Sequence, residues 1–175
     1  VERSRGLGDV YKRQEYMSLQ EEYADLLGHK WKGNKMYGCY EIIRKYYKWK
    51  YDYEMIDFNG RRKLTLFTED AIKEQGGKWV YRSEWGDSEI DLSELQQDDV
   101  LVFRLYTTAL DGSYSVSSRH NLPNHGGVYL GNGFMLHHPY KHHSMIVDLY
   151  NETNSVYLMS CVGALRSGEN LHNAT

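Results

Sequence analysis

The stretch Gly33-Asn-Lys-Met-Tyr-Gly-Cys-Tyr-Glu-Ile-Ile-Arg-Lys-Tyr-Tyr47 decides how the rest of this chain is read. A turn-prone approach ends at Gly38. From Cys39 onward, Ile42, Ile43, Tyr46 and Tyr47 fall on one side of a helical period, which predicts a helix running to about Trp49. Cys39 then lies in the first turn, where unpaired N–H groups and the positive end of the helix dipole favour a thiolate over a free thiol of pKa about 8.5. Such a sulfur is a candidate nucleophile. The competing reading of a lone cysteine is a small buried hydrophobe. A histidine-rich hairpin far downstream decides between the two.

Composition sets the bounds. A chain of 175 residues, 41% of them hydrophobic, can bury one sizeable core and has little room for two domains. The net charge of −3 carries no basic excess, so nucleic acid is not expected as a partner. Cys39 and Cys161 do not make the dense pattern of a disulfide-stapled domain, and a reduced fold is expected. No apolar run approaches the roughly 20 residues of a membrane span, and no signal peptide is read at the start. Tyrosine outnumbers phenylalanine 16 to 4, which predicts core rings whose polar tips need partners.

Taken in order, residues 1–14 are set apart, because Asp9-Val-Tyr-Lys-Arg-Gln14 resembles the translated end of a transposon used in sequencing libraries; a non-native tail is expected there, and 15–175 is read as one domain. Ser18 as N-cap, Glu21 three residues on, and the stripe Leu19, Tyr23, Leu26 and Leu27 predict a short helix ending at Gly28. Residues 50–92 read as a mostly helical or irregular insert, with a turn at Asn59-Gly60 and a short helix from Thr68 to Gln75 stopped by Gly76-Gly77. Strands follow a turn of helix at Leu92–Leu95 and a tight turn at Asp98-Asp99: Val100–Tyr106, His125–Leu130, Phe134–His138, Met145–Leu149 and Val156–Val162. Helices segregated ahead of antiparallel strands predict an α+β fold.

The downstream feature is Asn124-His-Gly-Gly-Val-Tyr-Leu-Gly-Asn-Gly-Phe-Met-Leu-His-His138. A thiol at a helix start beside a sheet histidine is the pairing nucleophilic catalysis needs, the imidazole taking the thiol proton and returning it to the leaving amine. A third polar group orients the imidazole.

Gly38-Cys-Tyr-Glu-Ile-Ile-Arg-Lys-Tyr-Tyr47, Leu95-Gln-Gln-Asp-Asp-Val-Leu-Val-Phe103, His125-Gly-Gly-Val-Tyr-Leu-Gly131 and Met135-Leu-His-His138, in that order, resemble the NlpC-type cell-wall cysteine peptidases, most closely the tail-tip versions of long-tailed bacteriophages. The resemblance implies a papain-like α+β fold with the N-terminal helices, the cysteine helix among them, packed on a C-terminal antiparallel sheet. It also implies cleavage of peptidoglycan stem peptides, typically between D-glutamate and the diamino acid, without a cofactor. On that basis Cys39 is the nucleophile, His125 the general base and His137 the orienting residue, with the Cys39 N–H in an oxyanion hole. Trp31 and Tyr40 are substrate-groove candidates. Phage tail-tip proteins are implied partners, and the implied location is the virion tail or the bacterial cytoplasm before assembly. The alternatives are a catalytically silent tail-tip module and an amidase or acyltransferase with the same triad.

Three departures stand out. Gly38 replaces the usual acidic or amide residue before the cysteine, Asp98 replaces a glycine ahead of the first strand, and histidines are in excess. His137 and His138 point to opposite faces of a strand, so only one can meet His125. A three-residue Gly131-Asn132-Gly133 loop selects His137, whereas a two-residue Asn132-Gly133 turn selects His138, leaving His138 as the alternative third residue. His120, His138, His142 and His143 raise the question of a metal. Pro139 breaks any helix that would align them and no zinc-hydrolase pattern is present, so no metal is expected.

Overall fold

The computed structural model describes residues 2–32, 38–57, 69–83, 89–107, 114–116 and 123–167. The helices are α1 (Glu2–Glu22), α2 (Gly38–Tyr51), α3 (Glu69–Gln75) and α4 (Ser155–Ser160). The strands are β1 (Gly77–Arg82), β2 (Val100–Phe103), β3 (Leu105–Thr107), β4 (Tyr114–Val116), β5 (His125–Gly131), β6 (Phe134–His137), β7 (Met145–Asp148) and β8 (Cys161–Ser167). Six of them form one antiparallel sheet in the order β1-β8-β2-β5-β6-β7, while β3 and β4 pair separately. The fold is α+β, as the segregation of helices and strands predicts.

The sheet is covered on both faces, and alternation along the strands decides which residue goes where. On one face, the stripe Cys39, Ile42, Ile43, Tyr46 and Tyr47 of α2 packs with Val102, Val128, Leu130, Phe134 and Leu136. The other face buries Leu101, Phe103, Tyr129 and Met135 with Tyr157 of α4 and Cys161. Burial pushes the Cys161 thiol up to about 12, so it is a core residue with no tendency to ionise.

The turn before β2 ties the far end of α2 to the sheet. Asp98 has a φ of +79°, a left-handed conformation that glycine adopts freely and other residues rarely do. Its carboxylate accepts from the hydroxyls of Tyr46 and Tyr51, and Lys50 Nζ lies at 2.9 Å. Burial alone would raise this carboxyl, but those donors outweigh it and hold it below the usual range. Asp99 is clamped by Arg166 through both oxygens, at 2.9 and 2.8 Å.

Four sequence expectations are corrected. Ser18 does not cap a helix; it lies inside α1, which runs without a break from Glu2 to Glu22 and includes the stretch set apart as a tail. Lys12 of that stretch meets Asp148 at 3.1 Å and lies 4.5 Å over the Tyr150 ring. The 50–92 region is not only helical or irregular: after α3 and the Gly76 turn it supplies β1, an edge strand paired with β8. The strand expected to run through Tyr106 breaks at Arg104, whose N–H turns to the Ser160 carbonyl at 3.0 Å. Val156–Ser160 is helix rather than strand, and β8 begins only at Cys161. Asn59-Gly60 and Thr68 lie outside the described residues.

Candidate active site

Cys39 is the second residue of α2 and is 1% exposed. Its Sγ lies 4.0 Å from the Asn124 carbonyl, which is its hydrogen-bond acceptor. Asn124 is itself fixed, because its side-chain amide accepts from the Leu105 N–H at 2.7 Å and donates to the Leu105 carbonyl. Burial pushes the thiol up to about 11, opposed in part by the N–H groups of Gly126, Tyr40 and Cys39 itself. The sulfur therefore rests against the backbone on both sides of His125, as a neutral thiol.

His125 opens β5 opposite Phe103 of β2. Its Nε2 is 2.9 Å from His137 Nδ1, and the two rings meet edge to face at a centroid distance of 5.2 Å. Tyr157 closes the pair from α4, 5.0 Å from the His137 ring. Both histidines are buried, and desolvation holds both neutral: His125 falls to about 3 and His137 moves in the same direction. Among the described residues, His137 Nε2 is buried without a hydrogen-bond partner.

The register that brings His137 to His125 arises in an unexpected way. Gly131 pairs with Phe134 across a two-residue turn, with Asn132 at φ +51° and Gly133 at φ +86°, the arrangement of a type I′ hairpin. That turn alone would present His138. A β-bulge between Tyr129 and Gly131 leaves Leu130 without a counterpart and shifts the ladder by one residue, so that Gly127 faces His137. A β-carbon on Gly127 would stand 2.6 Å from Met135 Sδ and 2.9 Å from the Leu136 carbonyl oxygen, so a side chain there would displace backbone.

The remaining candidates fall elsewhere. His138 points to the opposite side of β6; its Nε2 contacts the His142 carbonyl at 2.8 Å and its ring lies 5.1 Å from the Trp31 indole. Trp31 stands between His138 and Tyr140 and covers Gly38. Tyr40 is 5% exposed and donates to the Ile56 carbonyl at 2.8 Å, so it anchors the chain leaving α2 rather than lining a groove. Among the described residues no three or more histidines, cysteines or carboxylates converge as a metal site would require; His120 is outside them. Sequence reasoning missed Tyr157, since the strand assigned to Val156–Val162 concealed a helix that delivers this ring to the histidines.

No protein-family profile and no curated protein matches the chain. Among solved structures, the crystal structure of an NlpC/P60 family protein from Bacillus cereus ATCC 10987 is similar to it at 24% identity and a TM-score of 0.30, over 45% of this chain. The match covers 21% of that other chain.

Proposed function

We propose that the protein is a cysteine peptidase of the NlpC type that cuts peptidoglycan stem peptides through an acyl-enzyme. The observation that carries this reading is the 2.9 Å contact of His125 Nε2 with His137 Nδ1, at the strand end against which the Cys39 thiol lies. With its Nε2 proton donated to His137, His125 leaves Nδ1 as the base. Cys39 gives its proton to that nitrogen and its sulfur attacks the scissile carbonyl, with the Cys39 N–H assisting the oxyanion. The leaving amine takes the proton, a thioester remains, and His125 then activates the water that hydrolyses it. At rest the Cys39 thiol lies 4.0 Å from the Asn124 carbonyl, and its turn from that carbonyl to His125 Nδ1 belongs to the substrate complex. The bond between D-glutamate and the diamino acid, and the setting in a phage tail, rest on the sequence resemblance.

Mass spectrometry of a defined muropeptide tests this. The wild type releases the fragment pair expected for the stem-peptide bond, and Cys39→Ala lowers release by about 10³-fold or more. Unchanged release by Cys39→Ala removes the reading.

One observation favours a second reading, a catalytically silent module with the same fold: the thiol and both histidines are buried in their neutral forms. Iodoacetamide labelling separates the two. A peptidase labels at Cys39 faster than an ordinary thiol at neutral pH and is protected by a bound stem peptide, whereas a silent module stays inert with or without peptide.

A further inference from the structure

A groove of ≈ 510 Å³ opens at the start of α2, lined by His29, Lys30, Lys32, Gly38, Lys45 and His138. It reaches the residue next to Cys39. Its chemistry is cationic, and the one lining carboxylate among the described residues, Glu41, is taken up by Arg44 at 2.9 Å. Elsewhere Lys12, Lys48, Lys50 and Arg166 each meet an acidic side chain. Among the described residues Lys30, Lys32 and Lys45 meet none, although three like charges around one groove repel each other.

The groove is held in shape before any ligand arrives. The His29 N–H donates to Ser144 Oγ at 2.9 Å, the Ser144 N–H returns to the His29 carbonyl at 3.0 Å, and Gly28 N–H donates to the Ser144 carbonyl at 2.9 Å. Ser144 Oγ also donates to the Leu26 carbonyl at 2.7 Å, so the loop carrying Lys30 is stitched to the chain entering β7. The His29 ring donates from Nε2 to the Asp25 carbonyl at 2.8 Å, which leaves Nδ1 to accept from Lys45 Nζ at 3.4 Å. Lys45 keeps its remaining donors for the groove. His138 feels the same field: burial first, then Lys45, His29 and His143, disfavour its protonation.

We propose that this groove is a carboxylate subsite in which Lys30, Lys32 and Lys45 bind the free carboxylates of an acidic stem peptide and hold the peptide beside Cys39. Its place relative to the cleaved bond rests on the peptidase reading; the binding itself does not. Three lysines around one groove suit a peptide with more than one carboxylate. Peptides whose carboxylates are amidated lose the interaction, so the groove selects the unamidated form.

The test compares two synthetic peptides, L-alanyl-γ-D-glutamyl-L-lysine with free carboxylates and the same peptide with both amidated, by calorimetric binding to the full chain carrying Cys39→Ala. At low salt the acid form binds about tenfold more tightly, and the advantage shrinks as salt is added. Adding Lys30→Gln, Lys32→Gln and Lys45→Gln, which removes charge from three exposed side chains, abolishes the preference; circular dichroism checks that the fold is kept. Equal binding of the two peptides, a preference that survives the triple substitution, or displacement of the acid peptide by inorganic phosphate at equal concentration each overturns the proposal. Wild-type protein separates the two readings. Preference without cleavage removes the peptidase and leaves the subsite, whereas cleavage of both peptides alike without preference does the reverse.

Discussion

The indole of Trp31 fills the space a side chain on residue 38 would need: its Cζ3 lies 2.4 Å from where a β-carbon on Gly38 would stand. Gly38 has no left-handed φ, so this glycine is required for room and not for backbone freedom. The departure from the acidic or amide residue of the resembled family is thereby matched by a local feature, an aromatic ring laid on the helix start. Gly38→Ala forces the indole off Gly38 and costs about 1–3 kcal/mol, as overpacking does. Urea denaturation of Gly38→Ala, Trp31→Ala and the double variant checks it: the double substitution costs less than the sum of the singles.

The bulge in β5 decides which histidine lies beside His125, and a kinetic prediction follows. On the proposed peptidase reading, in which His137 orients the imidazole of His125, His137→Ala lowers kcat for stem-peptide cleavage by about 10²-fold. His138→Ala leaves kcat within about twofold and acts, as a residue lining the groove beside Gly38, on KM instead, because its ring lies with Trp31 and its Nε2 at the His142 carbonyl. Gly131, at φ +95°, is the hinge of the bulge. Gly131→Val strains that conformation, and its activity loss exceeds that of Asn132→Gly, whose turn stays intact. Steady-state rates on one peptide settle all four.

What could be read from the residues follows from where the determining contacts lie. The stripe Ile42, Ile43, Tyr46 and Tyr47 is local, and α2 forms where its spacing predicts. The paired histidines were legible as a choice between two registers, but the bulge was not, because turn chemistry and ladder register disagree there and the ladder prevails. β1 was missed for a different reason. Its partner β8 is far away in sequence, and the only local signal was the alternation of half-buried Trp79 and Tyr81 with exposed Lys78, Val80 and Arg82. Val156-Tyr-Leu-Met159 has strand-forming composition, yet it is too short for period to distinguish strand from helix, and Met159 ends up exposed on α4. Burial of Cys39 stood in the sequence only as the competing reading of a lone cysteine: the helix-start electrostatics favour ionisation, and only tertiary packing shows desolvation outweighing them.

Stability falls on acidification because of the buried histidine pair. His125 has a folded pKa of about 3 against 6.5 when exposed, so the unfolded chain takes up a proton that the folded chain refuses. The stabilisation is present above pH 6.5 and is lost as pH falls from there towards 3. His137 shifts in the same direction, and His138, which bears on both through its charge, is lowered too. Thermal melts between pH 7 and 4 show a fall in Tm that is shallower in His125→Gln, the difference amounting to about 3 kcal/mol in order of magnitude. Parallel slopes in the two proteins contradict a buried neutral His125.

Asp98 sets a backbone preference against a side-chain network, and the network decides the outcome. At φ +79° the backbone favours glycine over alanine by roughly 1 kcal/mol, so Asp98→Gly is better tolerated than Asp98→Ala. Neither variant restores the acceptor for Tyr46, which is buried, or for Tyr51 and Lys50. An unpaired buried hydroxyl costs about 1–3 kcal/mol, so even Asp98→Gly is destabilised, although glycine is the residue the backbone prefers. Asp98→Asn keeps one acceptor oxygen, tolerates the left-handed conformation and falls between wild type and Asp98→Gly. Urea titration of the three variants gives the order wild type, Asn, Gly, Ala. A glycine variant as stable as wild type means that the tyrosine and lysine contacts contribute nothing, and that the residue is held by its backbone alone.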